Sequence, residues 1–159
     1  MVDKSKQGKR NRTAGHDFER EMAQKFRRWY PDARRGLQYQ DGKHCPDIVG
    51  TDFWIECKHW KQISPWRAIE FWEKTSLTKP KDHDDYANLQ PILVYRVSGS
   101  RAIRVVMGTG TWLEIATAKY TKLFCWGPIE ILWEVFERAM DHWKGVQGEA
   151  GQSEKVPVA

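Results

Sequence analysis

Apolar residues recur along the chain with two different periods, one typical of helices and one typical of strands. Between Gly15 and Trp29 the apolar positions follow each other at steps of four, four and three residues, which indicates an amphipathic helix. The members of this stripe are Phe18, Met22, Phe26 and Trp29. We therefore predict a first helix over 15–29.

Two further helices are predicted downstream. Ser64 and Pro65 suit the N-cap and the first position of a helix that continues to about Lys74. A final helix is predicted from Pro128 to Lys144, because an apolar stripe runs through it. That stripe consists of Ile129, Leu132, Trp133, Phe136, Met140 and Trp143.

The segments between these helices favour strands. Ile48-Val49 and Phe53-Trp54-Ile55 are rich in β-branched and aromatic residues, and a turn at Thr51-Asp52 separates them. Two more strands are predicted over 91–97 and 102–107, joined by Ser98-Gly99-Ser100. The predicted fold class is a mixed α/β domain.

The hairpin around Thr51-Asp52 carries three ionisable groups. If its loop has two residues, Asp47 lies directly opposite Glu56. Lys58 then shares the face of Glu56, because side chains two apart on a strand point to the same side. Asp47, Glu56 and Lys58 are therefore expected to meet in one patch.

Two carboxylates opposite each other repel, and a bound cation would relieve that repulsion. Hard oxygen ligands in this number suit Mg²⁺ or Mn²⁺, and Lys58 would orient or help deprotonate an attacking water. The structural alternative is a solvated polar hairpin in which Glu56 pairs with Lys58.

Glu19 is a candidate third acid. At about 100° per residue it lies roughly 60° from the centre of the first apolar stripe, so it faces the edge of the core. A carboxylate there needs a partner, which a metal ion would provide. A nearby arginine, such as Arg20 or Arg34, is the alternative partner.

Composition and charge divide the chain into three parts. The 159 residues are expected to form one domain over 13–144, preceded by a basic disordered arm over 1–12 and followed by a disordered tail over 145–159. Of the net charge of +5, most falls in the arm, which has five basic residues and one acidic residue. A phosphate backbone is the expected partner of such charge, contacted by Lys4, Lys6, Lys9, Arg10, Arg12, Arg34 and Arg35.

The amino terminus lacks an apolar signal segment, and no apolar run approaches a membrane span, so neither secretion nor membrane insertion is expected. Three cysteines without a close pair suggest reduced thiols and a cytoplasmic location. His44, Cys45, Cys57 and His59 are zinc-capable residues, and a structural zinc site in a non-catalytic binding module is a rival interpretation.

The order of these acidic motifs resembles the PD-(D/E)xK nuclease superfamily. Glu19 is followed by Pro46-Asp47 and then by Glu56-Cys57-Lys58, as in those enzymes. The segment Gly15 to Glu21 is similar to the Gly-x-x-x-Glu-Arg opening of archaeal and bacteriophage Holliday junction resolvases. Arg34 to Lys43 resembles their basic first strand and loop. The resemblance covers about residues 13 to 75.

The resemblance implies a restriction-endonuclease-like core with element order αβββαβ, here followed by a C-terminal helix. It also implies a magnesium-dependent endonuclease that resolves four-way DNA junctions in recombination and repair. Glu19, Asp47, Glu56 and the Cys57 carbonyl would bind the metal ion, and Lys58 would position the hydrolytic water.

Further expectations follow from the same resemblance: a homodimer, branched DNA as partner, no organic cofactor, and the cytoplasm of a bacterium or a phage-infected cell. Trp60, Trp66 and Trp72 are candidates for the dimer face. A restriction-like or repair nuclease of the superfamily and a non-catalytic DNA-binding protein are the alternative functions.

Overall fold

The computed structural model describes residues 4–37, 45–78, 88–118 and 127–153. Within these ranges the chain forms a single mixed β-sheet with helices on both of its faces, so the predicted α/β class is confirmed. The elements in chain order are α1 (Lys4–Phe26), β1 (Arg34–Arg35), β2 (Ile48–Val49), β3 (Phe53–Trp60), α2 (Pro65–Thr78), β4 (Gln90–Val97), β5 (Ile103–Gly108), α3 (Thr109–Thr117), β6 (Pro128–Leu132) and α4 (Trp133–Ser153).

The strands lie in the sheet in the same order as in the chain, from β1 to β6. All neighbouring pairs are antiparallel except β3 and β4, which run parallel. Parallel neighbours need a crossover connection, and α2 lies in the segment that connects them. The first six elements therefore have the predicted order αβββαβ.

The larger core lies between the sheet and the helices α1 and α4. In β3 the alternate residues Phe53, Ile55 and Cys57 belong to it, as the two-residue period of a strand requires. The helices contribute their apolar stripes to the same core. These are Phe18, Met22 and Phe26 from α1, and Trp133, Phe136, Met140 and Trp143 from α4.

A smaller core covers the opposite face of the sheet, under α2. It joins Ala68 of the helix to Leu93, Tyr95 and Val106 of the central strands. The predicted cap of α2 is present, because the backbone N–H of Arg67 donates to Ser64 Oγ at 3.4 Å. Glu56 and Lys58 alternate with the residues of the larger core, so they belong to the α2 side.

The amino-terminal prediction was wrong over part of its length. Helix α1 begins at Lys4 rather than at Gly15, so residues 4–12 of the expected disordered arm are helical. Lysine, arginine and glutamine have high helix propensity, and extending an existing helix avoids the cost of nucleating a new one. The same helix ends at Phe26, three residues before the predicted end.

The carboxyl-terminal prediction needs two corrections. Pro128–Leu132, predicted as the first turn of a helix, is strand β6 and pairs with β5. The edge of β5 offers unpaired backbone groups, and this tertiary pairing outweighs the helical period. Helix α4 then continues to Ser153, so residues 145–153 of the expected disordered tail are helical as well.

Among the residues that the structure describes, no helix combines the length and apolarity needed to cross a membrane.

Candidate metal and phosphate site

The turn of the acidic hairpin sets the register that brings its charged residues together. Ile48 pairs with Ile55, which is the register that a two-residue loop at Thr51-Asp52 predicts. Gly50 enters the turn with φ of +79°, and a Cβ there would lie 2.6 Å from the Asp32 carbonyl oxygen. Only glycine fits this position without strain.

Asp47 lies one residue before β2 and is held on both sides by the backbone. Its N–H donates to the Ile55 carbonyl and its own carbonyl accepts from the Gly36 N–H, both at 2.9 Å. The side-chain Oδ2 accepts from the Cys57 N–H at 2.8 Å. These three bonds fix the carboxylate against the end of the hairpin.

The Lys58 ammonium lies where three oxygen atoms converge. Its Nζ is 2.5 Å from Glu56 Oε1, 3.1 Å from the Cys57 carbonyl oxygen and 3.3 Å from Asp47 Oδ2. The sequence predicted all three as oxygen ligands of a metal ion. The structure thus gathers Asp47, Glu56 and Lys58 in one patch, as the hairpin pattern predicted.

This patch is mostly removed from water, which strengthens its electrostatics. The side chains of Asp47, Glu56 and Lys58 are 27%, 22% and 28% exposed. Burial and the charge of Asp47 raise the pKa of Glu56 above its usual value, against the opposing effect of Lys58. Burial alone would lower the pKa of Lys58, but Asp47 and Glu56 outweigh it and raise that pKa.

Glu19 faces the same end of the sheet from α1. Its Oε2 accepts a hydrogen bond from Arg35 Nε in a largely buried ion pair, in which the Glu19 side chain is 15% exposed. The arginine alternative for Glu19 therefore describes this structure, although the partner is Arg35. Arg20 instead pairs with Asp17.

Glu19 and Asp47 line one cleft between α1 and the start of the hairpin. The cavity has a volume of about 420 Å³. A close approach between Gly36 and the Pro46 carbonyl forms part of its wall, because a Cβ at Gly36 would meet that oxygen at 2.0 Å. The lining residues are His16, Glu19, Arg35, Gly36, Leu37, Cys45, Pro46 and Asp47.

Sequence patterns did not identify His16, Gly36 or Leu37 as cleft residues. The Gly-x-x-x-Glu motif places residue 16 one turn before Glu19, so helical spacing was the available signal for His16. Gly36 and Leu37 carried no comparable signal, since their position depends on how the segment after β1 packs.

The oxygen atoms available as metal ligands suit a hard cation, but they are few. In the described part of the chain, no three His, Cys, Asp or Glu side chains are placed to hold a metal ion together. The oxygens that converge are two carboxylates and one backbone carbonyl, while Glu19 is bound to Arg35. Magnesium fits such a set, because it keeps several waters and needs only one or two carboxylates beside a substrate phosphate.

The zinc-capable residues do not form a comparable group. Cys57 is buried in the larger core, where burial and the charge of Asp47 raise the pKa of its thiol. The ring of His59 lies 6.2 Å from that of Phe18, and Cys45 lines the cleft. His44 lies outside the described residues.

The predicted phosphate-contacting residues occupy two places. Lys4, Lys6, Lys9 and Arg10 belong to the first turns of α1, and Arg12 follows them with an exposed side chain. Arg34 and Arg35 form β1, where Arg34 is exposed and Arg35 points to Glu19.

Similarity to known proteins does not assign this site. Comparison of the chain with protein-family models, with curated proteins and with solved structures finds no match.

Proposed function

We propose that this protein is a magnesium-dependent endonuclease with a restriction-endonuclease-like core, and that it cleaves phosphodiester bonds in branched DNA. The observation that carries the proposal is the convergence of Asp47, Glu56 and the Cys57 carbonyl on one ammonium group. Three oxygens that hold a compact cation on a buried patch are a suitable place for a divalent cation.

The protein's own cations fill the position that the proposal assigns to the metal ion. Lys58 lies between Asp47 and Glu56 and offsets one of their two negative charges, while Arg35 neutralises Glu19. Binding of Mg²⁺ would therefore release Lys58 from the carboxylates, with Glu19 free to join the ligands once Arg35 turns away. Mn²⁺, which prefers similar oxygen ligands, should substitute.

A bound Mg²⁺ supplies Lewis-acid chemistry at the scissile phosphate. Asp47, Glu56 and the Cys57 carbonyl would hold the metal ion, and the backbone bonds of Asp47 keep its carboxylate in place. A water oxygen forms a bond to phosphorus while the bond to the departing 3′ oxygen breaks. The water gives up a proton to solvent, and the 3′ oxygen takes a proton from solvent and leaves as a hydroxyl group.

Lys58 acts in this proposal as a charged group and not as a base. Before a metal ion binds, Asp47 and Glu56 raise the pKa of its ammonium group above its usual value, so Lys58 is protonated in that state. A charged lysine next to the site orients the attacking water and offsets the negative charge that grows on the phosphate.

Three features support branched DNA as the substrate. The motif order resembles that of the junction resolvases, the element order begins αβββαβ, and α1 and β1, which both contribute residues to the cleft, carry basic residues. A junction has near two-fold symmetry, so a symmetric homodimer is the proposed active form. A restriction-like or repair nuclease would use the same site on duplex DNA.

A second candidate is a DNA-binding protein without catalytic activity. The specific observation in its favour is that every carboxylate of the site already has a cationic partner. Glu19 pairs with Arg35, and Asp47 and Glu56 share Lys58. Pairing of this kind can hold the carboxylates in place without a metal ion, since each has a cation within ion-pair distance.

The test is cleavage of a synthetic four-way junction beside a linear duplex of the same sequence, with and without Mg²⁺. Asp47→Asn is the catalytic control because it removes one proposed ligand while keeping the size of the side chain. Asp32→Asn, a change at an exposed aspartate between α1 and β1, is the matched control for the change in charge.

Symmetric nicks in the junction alone, lost in Asp47→Asn and kept in Asp32→Asn, are the expected result. Equal cutting of both substrates would assign a general nuclease. Tight binding without cutting at any Mg²⁺ or Mn²⁺ concentration would assign the non-catalytic function.

A further inference from the structure

A second cavity adjoins the acidic cleft and has the opposite chemistry. Its volume is about 310 Å³, and Arg35 lines both cavities. The other lining residues are Arg20, Ala23, Gln24 and Arg27 of α1. Apart from the small Ala23, every lining side chain is a hydrogen-bond donor, and three of them are guanidinium groups.

The helix places three of these donors in one row. Arg20, Gln24 and Arg27 are spaced at i, i+4 and i+7, so they lie within about 60° of each other around the axis of α1. All three are exposed. Arg35 of β1 faces them from the sheet, which makes the cavity a groove between a helix and the edge strand.

The charges in this groove are only partly balanced. Arg20 pairs with Asp17, and Arg35 pairs with Glu19. Arg27 donates from Nε to the Ala33 carbonyl at 3.0 Å, and it makes no ion pair with a carboxylate in the described ranges. The bond to Ala33 holds the guanidinium in place without neutralising it, so the groove keeps an excess of positive charge.

We propose that this arginine groove binds a backbone phosphate of the DNA strand whose scissile phosphate enters the acidic cleft. This inference rests on the proposed function and adds a substrate subsite to it. Planar guanidinium groups match phosphate oxygens in pairs, and Gln24 adds a neutral donor. Because Arg35 lines both cavities, a strand that crosses it reaches the carboxylates on one side and the arginines on the other.

Two pairs of variants separate this groove from the general charge of the protein. Arg27→Gln removes the arginine without a carboxylate partner, and Arg67→Gln removes an exposed arginine of α2 on the other face of the sheet. Gln24→Glu puts a carboxylate into the groove without touching the bond to Ala33. Gln147→Glu makes the same change at an exposed position of α4.

The measurement is fluorescence anisotropy with a labelled four-way junction and a labelled duplex, without divalent cations, at several NaCl concentrations. Arg27→Gln should weaken binding about fivefold to tenfold and lower the slope of log K against log [NaCl] by about one, because binding one phosphate fewer releases fewer counterions. Gln24→Glu should weaken binding at least as much. Both control variants should keep the wild-type affinity and slope, and thermal melting should show that all four variants fold.

Three other outcomes would contradict the proposed phosphate subsite, and they differ in what they mean for the proposed function. If the wild type binds DNA and the groove variants match their controls, the subsite is refuted while the proposed function stands. If the wild type binds no DNA, both fail. If inorganic phosphate at constant ionic strength raises the melting temperature only when Arg27 is present, and the DNA slope does not change, the groove binds free phosphate and the assignment to the DNA backbone is wrong.

Discussion

Glu56 occupies a position that favours chemistry over stability. Its side chain is buried beside Asp47, so burial and a like charge both disfavour its ionised form. One ammonium group, that of Lys58, is shared between the two carboxylates. The folded protein therefore holds a proton on Glu56 more tightly than the unfolded chain does.

The sign of the resulting pH dependence follows from linkage. Where the folded state binds more protons than the unfolded state, the free energy of unfolding falls as the pH rises. For Glu56 this loss begins near its usual pKa of 4.5 and ends once the pH exceeds the raised value.

Glu56→Gln should remove that loss, because glutamine keeps an acceptor for Lys58 and carries no charge. We expect the variant to be more stable than the wild type at pH 7 by on the order of 1 kcal/mol, with the difference vanishing near pH 4. Urea unfolding at a series of pH values measures this difference.

Glu114→Gln is the matched control, since Glu114 is a partly exposed residue of α3 that belongs neither to the acidic patch nor to the candidate dimer face. Its stability relative to the wild type should stay nearly constant over the same pH range. If the free energy of unfolding of Glu56→Gln changes with pH in the same way as that of the control, the neighbours of Glu56 do not disfavour its ionised form.

At the scale of elements, local signals predicted those parts of the fold that local residues determine. The loop at Thr51-Asp52 predicted the register Ile48 to Ile55, and Ser64 predicted the cap of α2. The apolar stripe of α4 was also identified correctly from Trp133 onward. In the hairpin and the cap, the interaction that decides the structure joins residues close in the sequence. The stripe of α4 is recognisable as a local pattern, although it packs against α1 and the sheet.

The wrong prediction for Pro128–Leu132 concerns an interaction between distant segments. Pro128–Leu132 forms a strand because β5 lies beside it, and nothing local indicates that neighbour. Prediction of the site from the sequence has the same limit. The hairpin residues were predicted together, but the partner of Glu19 is sixteen residues away and depends on how α1 packs against β1.

The basic residues near the amino terminus and Glu19 of the cleft belong to the same continuous helix, α1. A helical segment loses less conformational entropy on binding a phosphate backbone than a disordered arm does. Deletion of residues 1–12 should therefore weaken binding of a four-way junction and lower its salt slope by about 0.9 for each phosphate that the shortened protein no longer neutralises. Fluorescence anisotropy over a range of NaCl concentrations measures both quantities.

A full-length variant distinguishes charge from helix length. Replacing the five basic residues of 1–12 by glutamine keeps good helix formers and removes the charge. The charge-free variant should match the deletion. If it instead binds like the wild type while the deletion does not, the helix contributes through its length and not through phosphate binding.

At the scale of the whole molecule, only one of the three tryptophans predicted for the dimer face is fully available to a partner. Trp60 and Trp72 are partly buried against the smaller core, whereas Trp66 is 75% exposed. Leu77, at the other end of α2, is 76% exposed. Eleven residues separate Trp66 from Leu77, which places them on one side of the helix about 16 Å apart.

A two-fold axis across the middle of α2 would place Trp66 of one copy against Leu77 of its partner. Large apolar side chains at both ends of such a contact would supply most of its stability. Glu70 and Glu73 lie between them on the exposed side, so the two copies repel at the centre and salt should strengthen association. This dependence is opposite to that of DNA binding.

Leu77→Ser should therefore shift the protein from dimer to monomer in sedimentation velocity experiments, and the shift should be largest at low salt. Val135→Ser is the matched control, because Val135 is an exposed apolar residue of α4, 45% accessible. If Val135→Ser dissociates the dimer and Leu77→Ser does not, the interface lies on α4. Trp66 and Leu77 would then be exposed to solvent in the dimer. A wild type that stays monomeric at every salt concentration would rule out the symmetric dimer, and paired cuts in a junction would then require two independent binding events.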